Sequence, residues 1–123
     1  MRNMGRILQR LAIVLFWPAV IVVTWGELTP SPPPLALHVW DKLLHFTAYF
    51  GLAGLAALSL KSRRALIYAV LGLILFGGLL EVIQGFTGRD AEWGDEFANT
   101  LGAIVGAFSG SAFLRLVDRP TRG

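Results

Sequence analysis

The chain has 123 residues, of which 54% are hydrophobic and only 15% charged, and its mean hydropathy is +0.60. A soluble domain carries nearer a quarter charged residues, and here the charges gather in short knots between long apolar runs, so the pattern is that of an integral membrane protein. The absence of cysteine removes disulfides, thiolate metal sites and thiol chemistry.

Four apolar segments, at about 7–25, 43–60, 65–86 and 97–117, approach the ~20 residues needed to cross hydrocarbon. They are too long and unbroken to be barrel strands, which predicts an all-α fold, a four-helix transmembrane bundle forming a single domain over residues 1–123. Arg2, Arg6 and Arg10 precede the first segment, and Pro18 within it is expected to kink the helix. Thr24-Trp25-Gly26 has the small-x-small form of a signal-peptide cleavage site. The apolar run is long for such a peptide, so it is read as a span. Cleavage there would leave three spans.

The connection from Glu27 to Trp40 contains Pro30, Pro32, Pro33 and Pro34, a stiff polyproline-like stretch expected to lie across the membrane surface. After the second segment, Lys61, Arg63 and Arg64 fill a tight connection that predicts an antiparallel pairing of the second and third spans. A short polar turn over residues 87–94 joins the third to the fourth. Arg115, Arg119 and Arg122 close the chain. In a four-span arrangement nine of the 11 basic residues then fall on one side, and the positive-inside rule makes that side, with both termini, cytoplasmic. Trp25, Trp40 and Trp93 flank the opposite connections, as in an interfacial aromatic belt. The pI of about 10.0 reflects these topological knots. A nucleic-acid partner would call for a basic face with interleaved aromatics, and none is present.

The polar residues of the spans fall at their outer ends. Asp41, His45 and Tyr49, at i, i+4 and i+8, share one helical face. Asp41 suits an N-terminal cap beside a snorkelling Lys42, whereas His45 lies a turn deeper among Leu43, Leu44 and Phe46. Glu81 and Gln84 share a face of the third span, with Glu81 roughly 8 Å inside its end from the helical rise. A carboxylate there needs a proton or a partner, and Arg89 and His45 are the expected partners. Asp95 is the expected N-cap of the fourth span, with Glu96 beside it and Asn99 one turn on. Ala98, Gly102, Gly106 and Gly110 continue at four-residue spacing, a stripe that lets another helix pack closely.

The three spans thus predict one outward pocket formed by Asp41, Lys42, His45, Tyr49, Glu81, Gln84, Arg89, Asp95 and Asn99. His45 with a carboxylate suits acid–base work, and Arg89 with Lys42 suits an anionic head group. His45, Glu81 and Asp95 could ligate a metal, but no HExxH-like spacing supports it, and neither a metal nor a cofactor is predicted.

Asp41-Lys42-x-x-His45 with Tyr49, Glu81-x-x-Gln84, Arg89, and Asp95-x-x-x-Asn99-x-x-Gly102 together resemble the VanZ-like family of small bacterial membrane proteins. The resemblance covers roughly residues 41–106. The turn before Asp95 is short, and the proline stretch is no family motif. The resemblance implies a shared polar site, a place in the bacterial cytoplasmic (inner) membrane, and a link to teicoplanin resistance, without assigning a reaction.

Two functions of different class follow. In the first, the pocket binds or modifies an envelope lipid, a lipid-linked precursor or a lipophilic glycopeptide. In a catalytic version Glu81 and His45 transfer a proton, Lys42 and Arg89 hold the head group, and Asp95, Asn99 and Gln84 orient them. In the second, the protein is a non-catalytic accessory subunit or small transporter, a homo-oligomer assembled through Gly102, Gly106 and Gly110.

Overall fold

The computed structural model describes residues 2–29, 38–87 and 91–118. They form four helices: α1 (Arg2–Leu28), α2 (His38–Ser59), α3 (Arg63–Gln84) and α4 (Trp93–Val117). Among the described residues there is no strand. The proline-rich connection and Arg89 lie outside the described residues.

Each helix begins and ends where its sequence allows. The α3 start is capped by Ser62, whose hydroxyl accepts from the Ala65 N–H at 3.2 Å. Its end at Gln84 falls two residues before the expected 86, because Gly85, Phe86 and Thr87 turn back on the last carbonyls. Helix α1 continues past Pro18 and Gly26 to Leu28. This places Glu27 inside a helix and not in the connection that the sequence predicts.

Helices α1, α3 and α4 are long and apolar enough to cross a membrane. Their outer faces present Trp17, Leu75 and Phe108, which are 67%, 75% and 75% exposed. Apolar surface of that extent is stable against hydrocarbon and not against water. Helix α2 carries the polar face of Asp41, His45 and Tyr49. It compensates by being the most enclosed helix, burying Tyr49, Leu52, Ala53, Ala56 and Ala57.

The helices alternate in direction. Near one end Gln9 Nε2 donates to the Ser59 carbonyl at 2.9 Å, joining the start of α1 to the end of α2. At the other end Gln84 Nε2 donates to the Glu27 carbonyl at 2.7 Å, joining the ends of α1 and α3. The pairing departs from the expectation that the tight Lys61–Arg64 connection makes α2 and α3 close partners. Helix α2 packs chiefly on α4, then on α1, and only lightly on α3.

The glycine stripe is the reason. A Cβ on Gly102 would meet the Phe46 carbonyl, one on Gly106 the Phe50 carbonyl, and one on Gly110 the Ala57 Cβ at 2.8 Å. The paired numbers rise together, so α2 and α4 run parallel with their backbones in near contact. The stripe is therefore filled by α2 of the same chain.

Candidate functional site

Polar side chains from all four helices meet at the end of the bundle formed by the α1 and α3 C-termini and the α2 and α4 N-termini. Glu27, His45, Glu81, Gln84, Asp95 and Asn99 are all at least nine-tenths buried there. Buried polar groups at this density are costly unless they satisfy one another.

His45 is at the centre. Its Nδ1 lies 2.9 Å from Asn99 Oδ1 and 3.0 Å from Glu27 Oε1. Its Nε2 lies 3.8 Å from both Asp41 Oδ2 and Asp95 Oδ2. Asn99 Nδ2 donates to Glu96 Oε2 at 3.3 Å, which turns the amide oxygen toward the imidazole. Glu27 also accepts from the Tyr49 hydroxyl at 3.4 Å, so one α1 carboxylate ties together two residues of the α2 face.

Gly77 makes room for this arrangement. A Cβ there would come within 2.9 Å of Glu96 Oε2, 3.0 Å of Asn99 Nδ2 and 3.1 Å of the Tyr49 hydroxyl. The position tolerates no side chain without moving three members of the cluster.

Two expected helix caps are corrected. Asp95 does not cap α4, because the helix starts at Trp93 with Glu92 in the cap position. Asp95 sits in the first turn and points inward. Likewise α2 starts at His38, so Asp41 lies within the first turn and not at the cap. Glu81 has a partner that the sequence does not indicate. Its Oε1 accepts from the Glu92 backbone N–H, which pins the start of α4 to the end of α3. Lys42, expected to hold an anionic head group, is committed to acids of the same chain. Its Nζ lies 2.7 Å from Glu92 Oε2 and 3.6 Å from Asp95 Oδ1.

The structure thus brings together Asp41, Lys42, His45, Tyr49, Glu81, Gln84, Asp95 and Asn99, while Arg89 lies outside the described residues. Sequence reasoning missed Glu27 and Glu92. A signal for Glu27 exists: Phe16, Val20 and Val23, which pack on the core, lead to Glu27 at helical spacing along one face of α1. Glu92 acts through its backbone N–H as well as its carboxylate, and no side-chain pattern announces that.

A family model described as VanZ/LLP1 matches residues 3–114. The chain belongs to the VanZ/LLP1 family. No curated protein and no solved structure matches it. The matched region of this VanZ/LLP1 protein includes α1, so Glu27 lies within the family's extent together with the residues of α2, α3 and α4. In this chain the polar cluster is built from four helices and not from three.

Proposed function

We propose that this VanZ/LLP1 protein binds or modifies a lipid-borne molecule of the bacterial envelope, through the polar cluster at the outer face of the cytoplasmic membrane. Its ligand is an envelope lipid, a lipid-linked precursor or a lipophilic glycopeptide such as teicoplanin. The observation that carries the reading is a buried set of titratable side chains from four helices at one end of a bundle whose outer faces are apolar. Ionisable groups at membrane depth are costly, and a set that converges on one imidazole is the arrangement of a site.

The orientation rests on the opposite end of the bundle, which carries Arg6, Arg10, Lys61, Arg63, Arg64 and Arg115. That end is cytoplasmic in this reading, and the cluster faces outward. An alkaline-phosphatase reporter fused after Lys61 should be inactive, and activity there would reverse the orientation.

His45 and Glu81 are the proton-transfer candidates. His45 is oriented by Asn99 and Glu27, and Glu81 by the Glu92 N–H. Tyr49, Gln84, Asp95 and Asn99 complete the polar cluster. In a teicoplanin-resistant host, Glu81→Gln and His45→Ala should each restore susceptibility while the protein still inserts. Unchanged resistance in both would remove the basis for the site. An accessory or oligomeric role would use some surface other than the glycine stripe, since α2 fills it.

A further inference from the structure

We propose that Asp41, His45 and Asp95 bind a divalent first-row metal ion at the polar end of the bundle. The inference concerns the same cluster as the reading above but does not depend on its lipid-borne ligand.

The first argument is the state of the imidazole. Asn99 turns its NH₂ to Glu96 Oε2 and its carbonyl oxygen to His45 Nδ1, 2.9 Å away. An amide oxygen only accepts, and so does the Glu27 carboxylate at 3.0 Å from the same nitrogen. Nδ1 therefore carries hydrogen, and in the neutral imidazole Nε2 is the atom with a lone pair to give. Fixing one imidazole nitrogen by a hydrogen bond to a carboxylate or carbonyl is how metal-ligating histidines are commonly oriented.

The second argument is what Nε2 faces. Asp41 Oδ2 and Asp95 Oδ2 are each 3.8 Å from it, too far for hydrogen bonds. One ligand atom from each of the three residues lies within 4.8 Å of the others. With metal–ligand bonds of about 2.0–2.2 Å, tetrahedral ligands sit about 3.4 Å apart, so the two contacts of 3.8 Å to His45 would close by about 0.4 Å and the widest separation, within 4.8 Å, by up to about 1.4 Å.

The third argument is Asp95 itself. It is 3% exposed, and its Oδ1 has no hydrogen-bond partner. The nearest Lys or Arg among the described residues, Lys42 Nζ, stands 3.6 Å off and is hydrogen-bonded to Glu92 at 2.7 Å. A buried carboxylate left this way is costly, and a cation at Oδ2 would relieve it. The local charge has the same sign. Glu27, Asp41, Glu81, Glu92, Asp95 and Glu96 gather at this end, against Lys42 as the fixed positive charge among the described residues.

One imidazole nitrogen with carboxylate oxygens suits Zn²⁺ or Mn²⁺. Three protein ligands also leave a coordination position open, and Asp41, a third exposed, is the most accessible of the three.

The test uses the full-length protein in detergent micelles, stripped with a chelator and dialysed against Zn²⁺, Mn²⁺ or Co²⁺. The expected result is one equivalent of metal per chain, with Co²⁺ giving visible d–d bands that His45→Ala abolishes. Asp95→Asn and Asp41→Asn should each weaken Zn²⁺ binding more than ~10-fold, and Asn99→Ala by about 10- to 100-fold. Asp41→Asn keeps the test decisive if the more buried variants misfold. Absence of stoichiometric binding of all three metals by the folded wild type overturns the proposal. So does binding that neither Asp variant changes. Failure of the proposed lipid-directed function would appear separately, as unchanged resistance in Glu81→Gln with metal binding intact.

Discussion

The same parallel pair, α2 and α4, is built differently at its two ends. Through Phe46, Phe50 and Gly54 on one side and Gly102, Gly106 and Gly110 on the other, the two backbones touch. Just beyond Gly102 lie His45 and Asn99. Toward the opposite end the pair and α3 wall a groove of about 740 Å³ lined by Leu66, Val70, Ile74, Ala107 and Phe108, with Lys61, Arg63 and Arg115 at its rim. The difference follows from what surrounds each end. An opening lined by apolar groups costs little when hydrocarbon can fill it, since lipid tails are as apolar as leucine. Buried polar groups must instead be held at hydrogen-bonding distance by helices that cannot move apart. Close packing by glycine is thus the structural condition for the polar site one turn away.

The sharpest way to break this comparison is to wedge the closed end. Gly106→Leu drives a side chain into the Phe50 carbonyl, which belongs to backbone and cannot swing aside. Overpacking of a tight core costs about 1–3 kcal/mol, and contact with backbone places this variant at or above the top of that range. The expected outcome is loss of the folded protein in thermal unfolding from detergent. Gly72→Ala is the control, because a Cβ there meets nothing within 4 Å, and it should leave the transition in place or raise it by the ~0.5–1 kcal/mol that Ala gains over Gly inside a helix. Equal effects of the two substitutions would show that glycine spacing does not hold α2 to α4.

The next largest effect is expected at Glu27. Glu27→Ala removes the carboxylate that contacts both His45 and Tyr49. Leaving buried partners unsatisfied costs about 1–3 kcal/mol. Stability should fall by that order, whereas Glu27→Gln, which keeps an acceptor, should lose less. A null result at Glu27→Ala would return α1 to a purely lipid-facing role.

Glu27 also marks how far the fold and the site are legible in the sequence. Asp41, His45 and Tyr49 share a face because their spacing matches the helical repeat, and so do Glu81 with Gln84 and Asp95 with Asn99. Such spacing can be read from the order of the residues alone. The number of helices is equally legible, because the apolar runs have the length of a bilayer. Glu27 is hidden because it stands where an apolar run meets Gly26 and a proline-rich connection, and composition alone places a helix end there. The choice of α4 over α3 as the partner of α2 is hidden for another reason. A short connection constrains only the ends of two helices, while the closeness of packing is set by side-chain size along their whole length. The stripe of small residues carried that information, but it does not say which helix it receives.

The smallest expected effect probes the open end. Ser62 caps α3 beside the groove, accepting from the Ala65 N–H. Ser62→Ala should cost ~1 kcal/mol, the ordinary value for losing an N-cap, because the exposed N–H can turn to water instead. Since the cluster lies at the far end of α3, the variant should leave the proposed metal binding and glycopeptide resistance untouched while lowering the unfolding temperature slightly. If Ser62→Ala instead weakened Zn²⁺ binding as much as Asn99→Ala, the two ends would be coupled through α3. The separation between a rigid polar end and a tolerant apolar end would then fail.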